Sequence, residues 1–233
     1  MKLCDDLIKN DVPAMGQLAG SENIAFCLRD KADLKILFVG NSITRHGPAA
    51  QIGWHGDWGM AASSAENDYV HRVVRALEQD GHRVSYGLVN VSEWEQSWND
   101  AALFSKYTAA RDFAPDILVM RLGENAKLMD RAQEFMLHYR TAIAYFASKS
   151  TRVVLTDLFW QYEPFDTAVC ALAERNGYDF APLHDLGERE EMKALGKFEH
   201  AGVAVHPSDE GMRAIAERIY AAVVAAMEKE CKQ

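Results

Sequence analysis

The sequence predicts an α/β fold: a three-layer α/β/α sandwich around a flavodoxin-like, mostly parallel, five-stranded sheet. Two observations predict it. Short apolar runs rich in β-branched and aromatic residues alternate along the chain with longer segments whose apolar residues recur at helical spacing. That alternation calls for parallel strands joined by right-handed crossovers, with helices on both faces of the sheet. The second observation is continuity: no repeat, low-complexity tract or linker divides the 233 residues. One domain over 1–233 is expected, with 1–33 as an N-terminal extension packed on it.

Residues 1–33 are mixed, with Leu3, Leu7 and Ile8 spaced for a short helix and a loop-like stretch from Asp11 to Gly20. Leu34 to Val39 reads as the first buried strand, followed by the small-residue turn Gly40-Asn41-Ser42-Ile43-Thr44. Residues 45–62 form a long connection that contains Gly53-Trp54-His55-Gly56-Asp57-Trp58-Gly59. A loop of that length tends to be functional or disordered, and its tryptophans argue against disorder. Ser63-Ser64-Ala65-Glu66 has the form of a capping box opening a helix that carries Tyr69, Val70, Val73, Val74 and Leu77 and ends at Gly81.

Val84 to Val91 is the second strand, followed by a polar, tryptophan-rich loop from Ser92 to Trp98. A helix is expected around Ala101 to Ala110. Asp116 to Leu122 is the third strand and leads into Gly123-Glu124-Asn125. The helix after it shows Leu128, Ala132, Phe135, Met136, Tyr139, Ile143 and Phe146 on one face. Thr151 to Leu158 is the fourth strand and ends in Phe159-Trp160. A helix closed by Asn176-Gly177 precedes a short fifth strand, Tyr178 to Leu183. Residues 184–205 read as irregular. The last helix starts near Ser208, where Asp209 and Glu210 complement its dipole.

Composition narrows the function. Apolar content is 48% and charged content 25%, ordinary for a globular protein. A net charge of −9 argues against a nucleic-acid backbone or an anionic membrane as main partner, since both need a cationic face. No apolar run approaches the roughly 20 residues that span a bilayer. No basic n-region and apolar h-region open the chain, so a cytoplasmic location is expected. Cys4, Cys27, Cys170 and Cys231 are scattered, which argues against a zinc site and a disulfide framework. His46, His55 and Asp57 share a loop without metal-ligand spacing.

The unusual polar residues converge. Ser42 follows strand one, Ser92 strand two, Asn125 strand three and Trp160 strand four, while His206 precedes the last helix. In open α/β sheets, ligands bind beyond the carboxyl ends of the strands, and a 2-1-3-4-5 order sets strands one and three side by side. Ser42 and Asn125 then become neighbours. Ser42 would be a nucleophile with His206 as its general base. The Asn125 amide and the backbone N–H groups of Ser42 and Ser92 would hold the oxyanion, each donor worth roughly 10²–10³ in rate. The tryptophans Trp54, Trp58, Trp94, Trp98 and Trp160 fall in loops at the same edge, where aromatic faces suit sugar rings.

Together these residues resemble the SGNH (GDSL-like) hydrolases. Gly40-Asn41-Ser42-Ile43-Thr44 looks like their nucleophile block, often G-D-S, with Asn41 where Asp is usual. Gly123-Glu124-Asn125 looks like the G-x-N oxyanion block. His206-Pro207, followed by Asp209-Glu210-Gly211-Met212, looks like the D-x-x-H-P block that ends the domain. The resemblance covers about residues 35–220 in order and spacing. It departs at two points. The Asp expected three residues before the histidine falls on Val203, so the imidazole is oriented either by a backbone carbonyl or by another acid. Glu124, Glu93, Asp185 and Glu199 are the candidates. The block-two glycine is not obvious in this sequence, and Ser92 is its best match.

The resemblance implies the SGNH hydrolase fold and a serine esterase that needs no cofactor and no metal. It further implies an acyl-enzyme on Ser42. The expected substrate is a small ester, acetyl above all, on a carbohydrate, with Trp54, Trp58, Trp94 and Trp160 as the binding aromatics. Two other readings follow from the same fold. One is a catalytically degenerate module that binds a glycan or an anion; the other is a lysophospholipase or thioesterase. A phosphate-cradling loop at Gly40 to Gly47 would need a Walker-type lysine that is absent.

Overall fold

A computed structural model describes residues 23–229. The short helix expected near Leu3 to Ile8 lies outside that range. The strands are β1 (Ile24–Cys27), β2 (Leu34–Gly40), β3 (Val84–Asn90), β4 (Ile117–Arg121), β5 (Arg152–Thr156) and β6 (Asp179–Ala181). They form a six-stranded sheet of order β1-β3-β2-β4-β5-β6. Strands β2 to β6 pair in parallel and reproduce the expected order of five; β1 joins the edge antiparallel to β3. This sixth strand is a correction to the sequence reading, which placed residues 24–27 in an outer extension. Cys27 is also disulfide-bonded, against the expectation drawn from the scattered cysteines.

The α-helices are α1 (Tyr69–Gln79), α2 (Ser92–Gln96), α3 (Thr108–Asp112), α4 (Ala132–Phe146), α5 (Glu163–Asn176), α6 (Ala201–Ala204) and α7 (Asp209–Glu228). Side chains alternate across the sheet. On β2, Ile36 and Phe38 face a core built with α1 and α7, while Leu37 and Val39 face one built with α4 and α5. Both faces are therefore covered, which is why β2 reads as the continuous apolar run Ile36 to Val39 rather than an alternating one.

Two local signals behave differently. The Ser63–Glu66 capping box does not form; residues 65–67 make a 3₁₀ turn and Asp68 is the N-cap of α1, accepting from His71 N at 2.8 Å. Asp68 wins because its other oxygen also accepts from Gly59 N at 3.1 Å, tying the cap to the long loop. The segment expected to be helical around Ala101 to Ala110 is 3₁₀ over Ala101–Tyr107 before the single turn of α3. At α7 the expectation holds: Ser208 is the N-cap and its Oγ accepts from Gly211 N.

Candidate active site

The C-terminal ends of β2, β3 and β4 lie side by side, with Gly40 paired to Asn90 on one side and to Arg121 on the other. Gly40 must be glycine here, because a Cβ would meet Thr44 Oγ1 at 2.0 Å and Arg121 O at 2.6 Å. That close approach lets the chain turn at once, so Ser42 stands just beyond the sheet edge. Its carbonyl accepts from Met60 N at 2.8 Å, and its own N–H has no acceptor among the described residues.

The Ser42 Oγ is 2.8 Å from His206 Nε2. The other ring nitrogen, Nδ1, is 2.7 Å from the carbonyl oxygen of Gly202. A carbonyl only accepts, so Nδ1 carries the proton of the neutral ring and Nε2 presents its lone pair to the serine hydroxyl. Position 206 is fixed from both sides. His206 O accepts from Ala194 N, and Ser208 N donates to Met192 O at 2.8 Å. Burial pushes the imidazole down to about 4; the Gly202 carbonyl works against that shift, Arg121 adds to it and Glu124 opposes it. The ring is thus neutral, and a base, at ordinary pH.

None of the four acids considered as orienting groups is bonded to His206. Glu93 pairs with Lys106, Asp185 with Arg218, and Glu199 is exposed. Glu124 turns the other way, bonding Arg121 Nη2 and Asn41 Nδ2, both at 2.6 Å, and Phe159 N at 3.3 Å. Position 203 is no place for an Asp in this chain, because Val203 is fully buried in the core shared with α7.

Asn125 follows β4 as expected, and its Nδ2 donates to Glu95 Oε2 at 2.6 Å. Gly123, two residues earlier, has φ +136, and a Cβ there would meet Phe165 at 2.7 Å. Its N–H donates to Glu95 Oε1, which also accepts from Asn41 Nδ2 at 3.1 Å. Glu95 is fully buried, on the one-turn helix α2. Burial, then the charge of Glu124, pushes its carboxyl above the ordinary value, against the pull of its N–H donors. Sequence reasoning missed Glu95 as part of this edge. Its only signal was an acid inside a run otherwise notable for tryptophan.

Two expectations are corrected. The Ser92 N–H is not open to a ligand, because it donates to Asn90 Oδ1 at 2.9 Å, so the β3 end supplies structure to the edge rather than an oxyanion donor. Most of the tryptophan wall is core. Trp54, Trp58 and Trp94 are 2%, 6% and 1% exposed. Trp54 Nε1 donates to His46 O and Trp58 Nε1 to Ala62 O, both at 2.8 Å, which explains how aromatic residues in a loop are buried and satisfied. Trp94 packs on Phe104 and Phe135. Trp98 lies against Phe135 and under Arg131. Trp160 alone of the five keeps partial exposure and touches the dyad, its ring edge-on to His206 at 5.3 Å. Asp57, in the same long loop, has both carboxylate oxygens bonded to Arg45, at 2.9 and 2.8 Å.

Beside Trp160 lies a cleft of about 320 Å³, lined by Gly123, Glu124, Leu128, Met129, Leu158 and Tyr162 among others. It opens between the loops that follow β4 and β5.

No family model matches the chain, and no curated protein sequence matches it. Solved structures do. A protein assigned to the G-D-S-L lipolytic family from Desulfitobacterium hafniense DCB-2 is 15% identical with a TM-score of 0.53, over 82% of this chain and 99% of that one. A carbohydrate esterase family 2 enzyme with a carbohydrate-binding domain, from Corynascus thermopiles, is 13% identical with a TM-score of 0.54, over 86% and 68%. A family two carbohydrate esterase from Cellvibrio japonicus is 16% identical with a TM-score of 0.52, over 84% and 62%. At these identities the likeness concerns the backbone, and it agrees with the block order read from the residues. The chain has the SGNH hydrolase fold.

Proposed function

We propose that the protein is a serine ester hydrolase that works through a Ser42–His206 dyad. The observation that carries this reading is the 2.8 Å contact between Ser42 Oγ and a His206 Nε2 whose lone pair is aimed at it by the Gly202 carbonyl. Ser42 Oγ attacks the ester carbonyl as its proton passes to Nε2. The oxyanion meets the Ser42 N–H and the second N–H of Asn125, the first being held by Glu95. Collapse of the intermediate expels the alcohol, which takes the proton from Nε2, and leaves an acyl-enzyme. Water then attacks by the same route in reverse, and the acid is released.

For the substrate we infer a small acyl ester, acetyl first, on a carbohydrate. Support comes from the ring of Trp160 at the dyad and from the presence of carbohydrate esterases among proteins of the same fold. The apolar cleft along Leu128, Met129, Leu158 and Tyr162 favours a second reading, a lysophospholipase- or thioesterase-like preference for a longer acyl group. Hydrolysis rates on acetylated sugars and on p-nitrophenyl esters of increasing chain length separate the two. A strong preference for long chains overturns the carbohydrate reading. A fluorophosphonate probe tests the dyad itself: labelling of the wild type and none of Ser42→Ala is expected. Failure of the wild type to label favours a module that binds without hydrolysis.

A further inference from the structure

We propose that Glu95 is a positioning residue of the oxyanion hole: its carboxylate fixes the orientation of the Asn125 amide and locks it to the turn that carries Ser42. The proposal rests on the hydrolase reading, in which Asn125 faces the reacting oxygen. The three contacts of Glu95 come from three different groups at the sheet edge. Oε2 accepts from Asn125 Nδ2 at 2.6 Å, while Oε1 accepts from Gly123 N and from Asn41 Nδ2 at 3.1 Å. An amide side chain can be flipped by 180° at almost no intrinsic cost, so its direction is set by its partners. An ionised carboxylate only accepts. It therefore holds the NH₂ end of Asn125 and excludes the flipped form, which would set two oxygens against each other. With one N–H bound to Glu95, the second leaves the nitrogen at about 120° to it, unclaimed by any described residue.

The same carboxylate reaches the residue before the nucleophile. Asn41 gives its Nδ2 to Glu95 and to Glu124, and takes Arg121 Nη2 at 2.9 Å and Ile43 N at 3.2 Å on its Oδ1. The loop after β2 and the loop after β4 are thus fixed relative to each other through a side chain from α2. Such pre-organisation matters most in the transition state, where the oxyanion bond strengthens, and a misplacement of about 1 Å can cost about a hundredfold.

The test is a double-mutant cycle on p-nitrophenyl acetate with Glu95→Gln and Asn125→Ala. Each single variant is expected to lose kcat, Asn125→Ala by about 10²–10³-fold and Glu95→Gln by about tenfold or more, with KM within about twofold. The double variant is expected to fall well short of the product of the two single losses, because the Asn125 amide is the main group that Glu95 positions and only its contacts to Asn41 and Gly123 are left. Losses that multiply, or a Glu95→Gln with full kcat beside a slow Asn125→Ala, overturn the positioning role and leave the hydrolase reading standing. An Asn125→Ala with full kcat overturns the oxyanion assignment itself, and this inference with it. Should Glu95→Gln fail to fold, the wild type answers by NMR. One Asn125 side-chain N–H is expected downfield and protected from exchange, its partner neither; two equally exchanging protons overturn the proposal.

Discussion

His206 Nδ1 is bonded to the carbonyl oxygen of Gly202 at 2.7 Å, and no carboxylate shares that nitrogen among the described residues. A neutral carbonyl selects the tautomer and the ring direction as a carboxylate does, but adds no full charge to favour the imidazolium. Burial therefore dominates and holds the ring near 4. If Ser42 and His206 act as the proposed dyad, its activity should persist to more acid pH than a carboxylate-backed histidine allows. We expect kcat/KM to stay flat from neutral pH to about 5 and to fall below that. A pH–rate profile checks this, and a single-proton limb centred between 6 and 7 contradicts it. Stability moves in the same direction. The unfolded histidine takes a proton near 6.5 and the folded one near 4, so this ring opposes folding increasingly as pH falls across that interval.

Trp160 lies edge-on to His206 with an interplanar angle of 84° and covers one side of the ring. Removing it admits water to the imidazole. Trp160→Ala should move the acid limb of kcat/KM upward, toward the ordinary histidine value, while Trp160→Phe should keep it near the wild type. A KM rise for acetylated sugars in Trp160→Ala, larger than for p-nitrophenyl acetate, would mark the same ring as a sugar contact. An unmoved limb in Trp160→Ala would mean that burial of the histidine comes from elsewhere.

Trp54, a binding aromatic by its place in the loop, is a core residue in the fold, bonded through Nε1 to His46 O and edge-on against Trp58. Its truncation should be a stability event. Trp54→Ala is expected to cost about 3–5 kcal/mol in urea unfolding, the usual range for an aromatic removed from a packed site. KM for small esters should stay near the wild type in whatever fraction remains folded. A large KM change with unchanged unfolding would restore the binding role.

The parts of the fold that could be read from the sequence are those where one physical demand dominates. Leu34 to Val39 and Ile117 to Arg121 are buried on both faces, so their composition alone declares them strands. Ser42, Asn125 and His206 could be placed because an alternating chain brings the ends of its strands to one edge. Ile24–Cys27 could not, since four residues at the sheet edge, alternately buried and half-buried, are too short a run to declare a strand. The tryptophans misled because the sequence shows that a residue lies in a loop but not which way the loop folds. Here the His46–Trp58 and Ala49–Trp54 bridges turn that loop back over the core. Glu95 was invisible for the converse reason. A buried carboxylate is affordable only with its donors, and Gly123, Asn125 and Asn41 are distant from it in sequence.

Asn41 shows what such a network demands of sequence. The SGNH pattern usually has Asp at this place, and the structure explains why this chain cannot. The Asn41 Nδ2 sits between two carboxylates, 3.1 Å from Glu95 and 2.6 Å from Glu124, and among the described residues Arg121 is the one cation bonded within the set. Asn41→Asp would replace the shared donor by a third acceptor and set three acids around one guanidinium in a buried site. A carboxyl so placed has its folded value raised above the unfolded one. Its cost is therefore small at low pH, where the site holds an extra proton, and grows as pH rises through the folded value. We expect Asn41→Asp to lie close to the wild type in urea unfolding at pH 4 and to be less stable by about 2–4 kcal/mol at pH 8, the order expected for a buried charge that must share its one cation with two other acids. Adding Glu124→Gln to Asn41→Asp should recover part of that loss at pH 8, since it removes one of the three charges and returns a donor. A variant with wild-type stability at both pH values would show that Glu95 and Glu124 do not both face Asn41 in solution. Restoring the residue usual for the fold is thus predicted to harm this protein, because Asn41, Glu95 and Glu124 form one arrangement and position 41 cannot be changed alone.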